Sequence, residues 1–140
     1  MANILTIDTP GRACVDITER VAAILAQSDF NSGVAHLFIQ HTSASLTIQE
    51  NADPDVRRDL LSWLDRIAPE NGPYIHTSEG PDDMPAHIKS AITSTSLSVP
   101  FENGRLLTGT WQGVYVIEHR RRPHQRQVVV TLLPSGQSYL

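Results

Sequence analysis

Ser96-Leu97-Ser98-Val99-Pro100-Phe101-Glu102-Asn103-Gly104-Arg105-Leu106-Leu107-Thr108 is the run that decides the fold. Leu97, Val99 and Phe101 alternate with Ser96, Ser98 and Pro100, the period of two that places successive side chains on opposite faces of a strand. Asn103-Gly104 follows. Both residue types tolerate the positive φ of a two-residue hairpin turn, so the chain is predicted to reverse there and return through residues 105–108. A tight reversal joins antiparallel neighbours, whereas a parallel pair needs a long crossover.

Working downstream, the chain breaks at residues 109–113 and resumes as a strand over 114–119. A polar turn over 120–125 leads to a last strand over 126–133. Upstream, residues 4–8 and 13–17 read as short strands around a Thr9-Pro10-Gly11 turn. Asp16 is placed to cap the next helix, with Glu19 completing a capping-box spacing, and Val21, Ile24 and Leu25 share a helical face. Residues 34–40 and 44–49 are β-type runs around a His41-Thr42-Ser43 turn. Asp53-Pro54 opens a second helix whose apolar stripe is Val56, Leu60, Trp63, Leu64 and Ile67. Residues 70–85 form a long polar loop, and a short helix spans 85–93. The expected class is α+β: a predominantly antiparallel β-sandwich of about eight strands with about three flanking helices.

The 140 residues suit one domain, without repeats or linkers, and 40% hydrophobic against 19% charged content is an ordinary globular balance. A net charge of -4 argues against a general nucleic-acid binder. The apolar runs are too short to cross a bilayer, the N-terminus lacks a signal-peptide pattern, and Cys14 has no intrachain partner. The expectation is a cytoplasmic protein with no membrane or nucleic-acid partner.

Six histidines draw attention to metal chemistry. His41 opens a turn, His76 lies in the long loop and His87 is in the short helix. Neutral imidazole is the usual protein ligand for zinc-like ions. Each also reads as a loop cap or bridge, and no HExxH or Cys-x-x-Cys signature decides between the two. Glu118 ends an apolar run, either as a base, as a carboxylate that pairs with a histidine, or as an outward strand residue. Trp111 and Gln112, within Gly109–Gly113, read as a stacking and hydrogen-bonding pair or as a bulge. Arg120, Arg121, Arg122, His124 and Arg126 read as a phosphate site or a solvated hairpin tip. Glu79, Asp82 and Asp83 read as a hard-cation site or, for Asp83, as a helix cap.

His41-Thr42-Ser43-Ala44-Ser45 with Glu50-Asn51-Ala52-Asp53, then His76 with Glu79-Gly80 and Ala86-His87-Ile88-Lys89, then Asn103-Gly104 with Gly109-Thr110-Trp111-Gln112, together resemble the signatures of the YjbQ family, also called the secondary thiamine-phosphate synthase family. The resemblance covers nearly the whole chain. It implies a compact α+β domain, a homotrimer, and a polar pocket holding a divalent metal such as zinc, or an anion. It implies His41, His76 and His87 as metal ligands, Asn51, Trp111 and Gln112 as substrate-binding residues, and Lys89 and Glu118 as catalytic ones. The implied activity is a weak thiamine-phosphate synthase reaction on small phosphorylated metabolites, joining a pyrimidine pyrophosphate to a thiazole phosphate. A metal-dependent hydrolase using the three histidines, or a non-enzymatic trimer binding a small anion, are the alternatives. The chain departs from the family pattern at Ser94 and at Arg120-Arg121-Arg122, where a more acidic Gly-Pro type of turn is usual.

Overall fold

The computed structural model describes residues 2–136. In chain order the elements are β1 (Ala2–Thr9), β2 (Ala13–Asp16), α1 (Thr18–Ala26), β3 (Gly33–Ile39), β4 (Ala44–Glu50), α2 (Pro54–Ile67), α3 (Asp83–Ile92), β5 (Ser96–Glu102), β6 (Arg105–Leu106), β7 (Gln112–Glu118) and β8 (His124–Pro134). The strands form two antiparallel sheets, one of order β1-β8-β3-β5-β6 and one of order β2-β7-β4. The expected α+β architecture is the one observed. At the decisive hairpin Glu102 pairs with Arg105, and Asn103 and Gly104 have φ of 53° and 70°, as a primed two-residue turn requires.

Strand alternation builds the core between the sheets. Val128, Val130 and Leu132 of β8 face inward with Leu37 and Ile39 of β3 and Ile7 of β1. They meet Ala44 and Leu46 of β4 and Val114 and Val116 of β7, and α1 adds Val21 and Leu25. As the central strand of its sheet, β7 is buried from Gly113 to Glu118, which explains its unbroken apolar run.

Helix α2 lies on the flank: of its apolar stripe only Leu64 is buried, while Trp63 is 50% and Ile67 42% exposed. The helix that reaches the core is α1, through Val21 and Leu25. Two local expectations are corrected. Ile17, not Asp16, occupies the N-cap of α1; Asp16 Oδ1 accepts instead from the Thr18 N–H (2.9 Å) and hydroxyl (2.6 Å). Asp83 is not a cap but the first residue of α3, and its side chain turns inward.

The two sheets are joined at one end by a buried ion pair. Glu118 closes β7 and Arg126 lies on β8. Arg126 Nε donates to Glu118 Oε1 (2.7 Å) and Nη2 to Oε2 (2.5 Å). The Thr9 hydroxyl donates to Oε1 (2.6 Å) and the Arg120 N–H to Oε2 (3.0 Å). Arg126 Nη2 also donates to the Ser43 Oγ (3.0 Å), which fixes the turn between β3 and β4. Burial raises the Glu118 pKa, but the hydrogen bonds from Arg126, Thr9 and Arg120 outweigh it and hold the carboxyl below its ordinary value. Gly11 (φ 118°) lets the β1–β2 turn close on this end, because a Cβ there would lie 2.3 Å from the Arg121 carbonyl oxygen.

Removing one partner strands the other in the interior. Glu118→Ala is expected to cost about 3–5 kcal/mol, read as a lower urea midpoint. An unchanged midpoint would show that the pair does not join the sheets.

Candidate metal centre

Asp83 and His87 lie four residues apart on α3, so both project from one face of the helix. His76 reaches them from the long loop. His76 Nε2 is 2.7 Å and His87 Nε2 3.1 Å from the same oxygen, Asp83 Oδ2. The rings meet edge to face with centroids 5.5 Å apart. A carboxylate only accepts, so both Nε2 atoms donate to it and the two protons occupy the space between the ligands. The three ligand atoms lie within 4.8 Å of one another. Tetrahedral zinc with ligand bonds of about 2.0 Å needs ligand spacings of about 3.3 Å. The Asp83–His76 and Asp83–His87 spacings, 2.7 and 3.1 Å, are somewhat shorter than that value. The Asp83 side chain is 3% exposed and that of His76 44%, so the ligand set is anchored below and open above.

Arg120 holds the other oxygen, donating from Nη1 to Asp83 Oδ1 (2.8 Å). Burial raises the Asp83 pKa, but the hydrogen bond from His76 and the charges of His87 and Arg120 bring it below the ordinary value. Asp83 is therefore ionised at neutral pH.

His41 stands outside this cluster. Its Nε2 accepts the Gln127 N–H at 2.8 Å, which leaves the ring hydrogen on Nδ1, where it faces Arg126 Nη1 at 3.3 Å. Burial first, then the Arg126 charge, lowers its pKa, so it is neutral near pH 7. His41 and His87 do line one groove of about 350 Å³ with Thr42, Ser90 and Thr95. A neighbouring hollow of about 640 Å³ shares His41, Thr42 and Thr95 and adds Ser43 and Arg126.

The family model described as UPF0047 protein YjbQ-like matches residues 3–135. The chain belongs to this family. A UPF0047 protein of Synechocystis sp. is 52% identical over 91% of this chain and 87% of its own length. The UPF0047 protein YjbQ of Escherichia coli O157:H7 is 46% identical over 91% and 94% respectively. Among solved structures, a conserved hypothetical protein of Thermus thermophilus superposes with a TM-score of 0.83 at 40% identity, covering 94% of this chain and 99% of that one. A YjbQ/UPF0047 protein of Clostridium acetobutylicum gives 0.82 at 39% identity, covering 95% and 99%.

The remaining residues singled out in this YjbQ-like chain are spread across the fold. The Glu118 side chain is fully buried and both of its oxygens are occupied, so in this arrangement it braces the sheets and does not act as a base. Lys89 is buried too, and its Nζ donates to Asp65 Oδ1 (2.5 Å), an oxygen shared with Arg12 Nη1 (2.8 Å); it ties α3 to α2. Asn51, Trp111 and Gln112 gather at the far end of β7. Gln112 Oε1 accepts the Gly109 N–H (2.7 Å), and Asn51 Nδ2 donates to the Thr110 carbonyl (3.4 Å). This bracing leaves Trp111 64% exposed. Gln112 and Glu118 are separated by the length of the strand, about 20 Å. The two grooves beside His41 and His87 are lined by none of Asn51, Trp111 and Gln112.

Sequence reading placed Asp83 in an acidic segment and Arg120 in a basic one, but joined neither to the histidines. The Asp83-x-x-x-His87 spacing was a usable signal for Asp83. Nothing local paired Arg120 with Asp83, because they lie thirty-seven residues apart.

His119 was passed over as well. It is buried, with Nε2 2.8 Å from the Ser45 hydroxyl, which also accepts from Thr93 Oγ1 (2.7 Å). Burial, then the Lys89 charge, pushes its pKa down to about 3. The unfolded chain therefore binds a proton that the folded chain refuses, between about pH 6.5 and about pH 3. Stability falls on acidification through this window. The His119 share is on the order of 3 kcal/mol from pH 6.5 to 4. Chemical denaturation across that range should give a flatter profile for His119→Gln than for wild type. Parallel profiles would assign the acid sensitivity elsewhere.

Proposed function

We propose that this protein holds a divalent ion such as zinc at His76, Asp83 and His87 and acts there on a small phosphorylated metabolite in the adjoining groove. The observation that carries the reading is the convergence of His76 Nε2 and His87 Nε2 on Asp83 Oδ2 beside open space. Two imidazoles and a carboxylate with a free coordination position suit zinc or iron(II). Bound there, the ion supplies Lewis-acid stabilisation of a phosphate or pyrophosphate oxygen.

The chain's own residues do the rest. Asp83, ionised and anchored by Arg120, orients the ligand set. His41, Thr42, Ser90 and Thr95 line the groove with groups that hydrogen-bond phosphate oxygens, and the neighbouring hollow, which shares His41, Thr42 and Thr95, adds Ser43 and the Glu118-paired Arg126. Stabilisation of a leaving pyrophosphate is the chemistry that the thiamine-phosphate synthase reaction requires. A hydrolase would draw on the same ion, but it has lost Glu118 as its candidate base.

We further propose a homotrimer. A closed ring of three uses two different patches on each copy. Ile4, Phe38 and Leu133 are exposed on the outer face of the five-stranded sheet, and Trp63 and Ile67 on α2. Among the described residues no helix is long and apolar enough to cross a membrane. The thiol of Cys14, whose pKa burial raises, suits a reducing compartment such as the cytoplasm.

Titration calorimetry of metal-stripped protein is expected to give about one zinc per chain, with affinity lowered about 100-fold or more by His87→Ala and little changed by His41→Ala. Equal binding by wild type, His76→Ala and His87→Ala would refute the site. With the ion bound, formation of a carbon–nitrogen bond and pyrophosphate supports the transferase, phosphate release the hydrolase, and substrate binding without turnover the anion-binding module. Sedimentation should give a trimer that Phe38→Asp weakens; a wild-type monomer would overturn the assembly.

A further inference from the structure

The acidic segment beside the histidines raises a question of ion choice. Glu79, Asp82 and Asp83 look, in sequence, like donors for a hard cation such as calcium or magnesium, which takes many oxygens and often a bidentate carboxylate. In the fold, a cation already fills that position. It is the guanidinium of Arg120.

Arg120 Nε donates to Asp82 Oδ2 (3.0 Å) and Nη2 approaches Asp82 Oδ1 at 3.4 Å. Nη1 donates to Asp83 Oδ1 (2.8 Å) and Nη2 to the Glu79 carbonyl (2.9 Å). One planar group thus satisfies both oxygens of Asp82, one of Asp83 and a backbone carbonyl. The Arg121 N–H adds a further bond to Asp82 Oδ2 (3.0 Å). Hydrogen bonding to Asp82 raises the pKa of Arg120, and a guanidinium does not deprotonate in proteins, so the charge stays in place. The group is also held from behind, since its own backbone N–H binds Glu118.

The consequence is a division of the cluster. The oxygen-rich half is closed by a built-in cation. The nitrogen-rich half keeps one oxygen, Asp83 Oδ2, and two imidazole nitrogens. Asp83 offers an incoming ion a single oxygen, and Asp82 offers none. We infer that Arg120 is a specificity-determining residue, which excludes calcium and magnesium from the acidic segment and leaves a compact site for a borderline ion such as zinc. The zinc half of this statement rests on the metal reading above; the exclusion of hard cations does not.

The test is titration calorimetry of the metal-stripped full chain with zinc, calcium and magnesium chlorides, on wild type and on Arg120→Ala, Arg120→Gln and Arg120→Lys. Arg120→Gln keeps hydrogen-bond donors toward Asp82 and Asp83 without the charge, and so covers the case in which Arg120→Ala does not fold. Arg120→Lys keeps the charge. Calcium affinity is expected to rise about tenfold or more in the Ala and Gln variants, and to stay near wild type in the Lys variant. The zinc-to-calcium preference falls about tenfold or more in the Ala and Gln variants. Calcium affinity within about twofold of wild type in folded Ala or Gln variants overturns the proposal, as does wild-type protein that itself binds calcium as tightly as zinc. Wild type that binds neither ion, with calcium gained on losing Arg120, sinks the zinc site and leaves the exclusion standing.

Discussion

The Glu118–Arg126 ion pair is the constraint from which the functional end of this molecule is built. It links the two sheets, with Glu118 on β7, the central strand of one, and Arg126 on β8 of the other. A carboxylate and a guanidinium buried together must have their remaining groups satisfied, and the neighbours that satisfy them are the segments that form the site. Ser43 fixes the turn carrying His41. Thr9 brings in the end of β1. The Arg120 N–H brings in the β7–β8 turn. No buried side-chain nitrogen or oxygen among the described residues lacks a partner.

From that pair outward, position passes from one charge to the next. Arg120 binds Glu118 with its backbone and Asp82 and Asp83 with its side chain. Asp83 in turn receives His76 and His87. The imidazoles are thus three links away from the pair that joins the sheets, and the long loop carrying His76 is held there by charge. The same neighbourhood explains why Glu118 and Lys89, attractive as catalytic groups in isolation, are bound up in the scaffold: each is buried, and a buried charge needs a partner.

Much of the architecture was legible before any fold was known. The strand alternation of Leu97, Val99 and Phe101, the Asn103-Gly104 turn and the helix opening at Asp53-Pro54 all appear as read. The stripe on α2 was legible as a helix but not as a surface helix. Period tells which residues share a face; it does not tell how deeply that face is buried. His76 and His87 were legible as residue types, and the groove links His41 to His87 without adding it to the ligand set.

Local chemistry alone therefore specified the elements, their antiparallel pairing and the candidate imidazoles, because periodicity, turn propensity and helix opening act over a few neighbouring residues. Tertiary structure alone decided which charges meet. Arg120 and Asp83 are thirty-seven positions apart, and Arg126 and Ser43 eighty-three. It also set the length of β7 between Trp111 and the histidine cluster. Electrostatic partnership at such separations depends on how the sheets stack and which side chains lose their water, and that is settled only when the whole chain has packed.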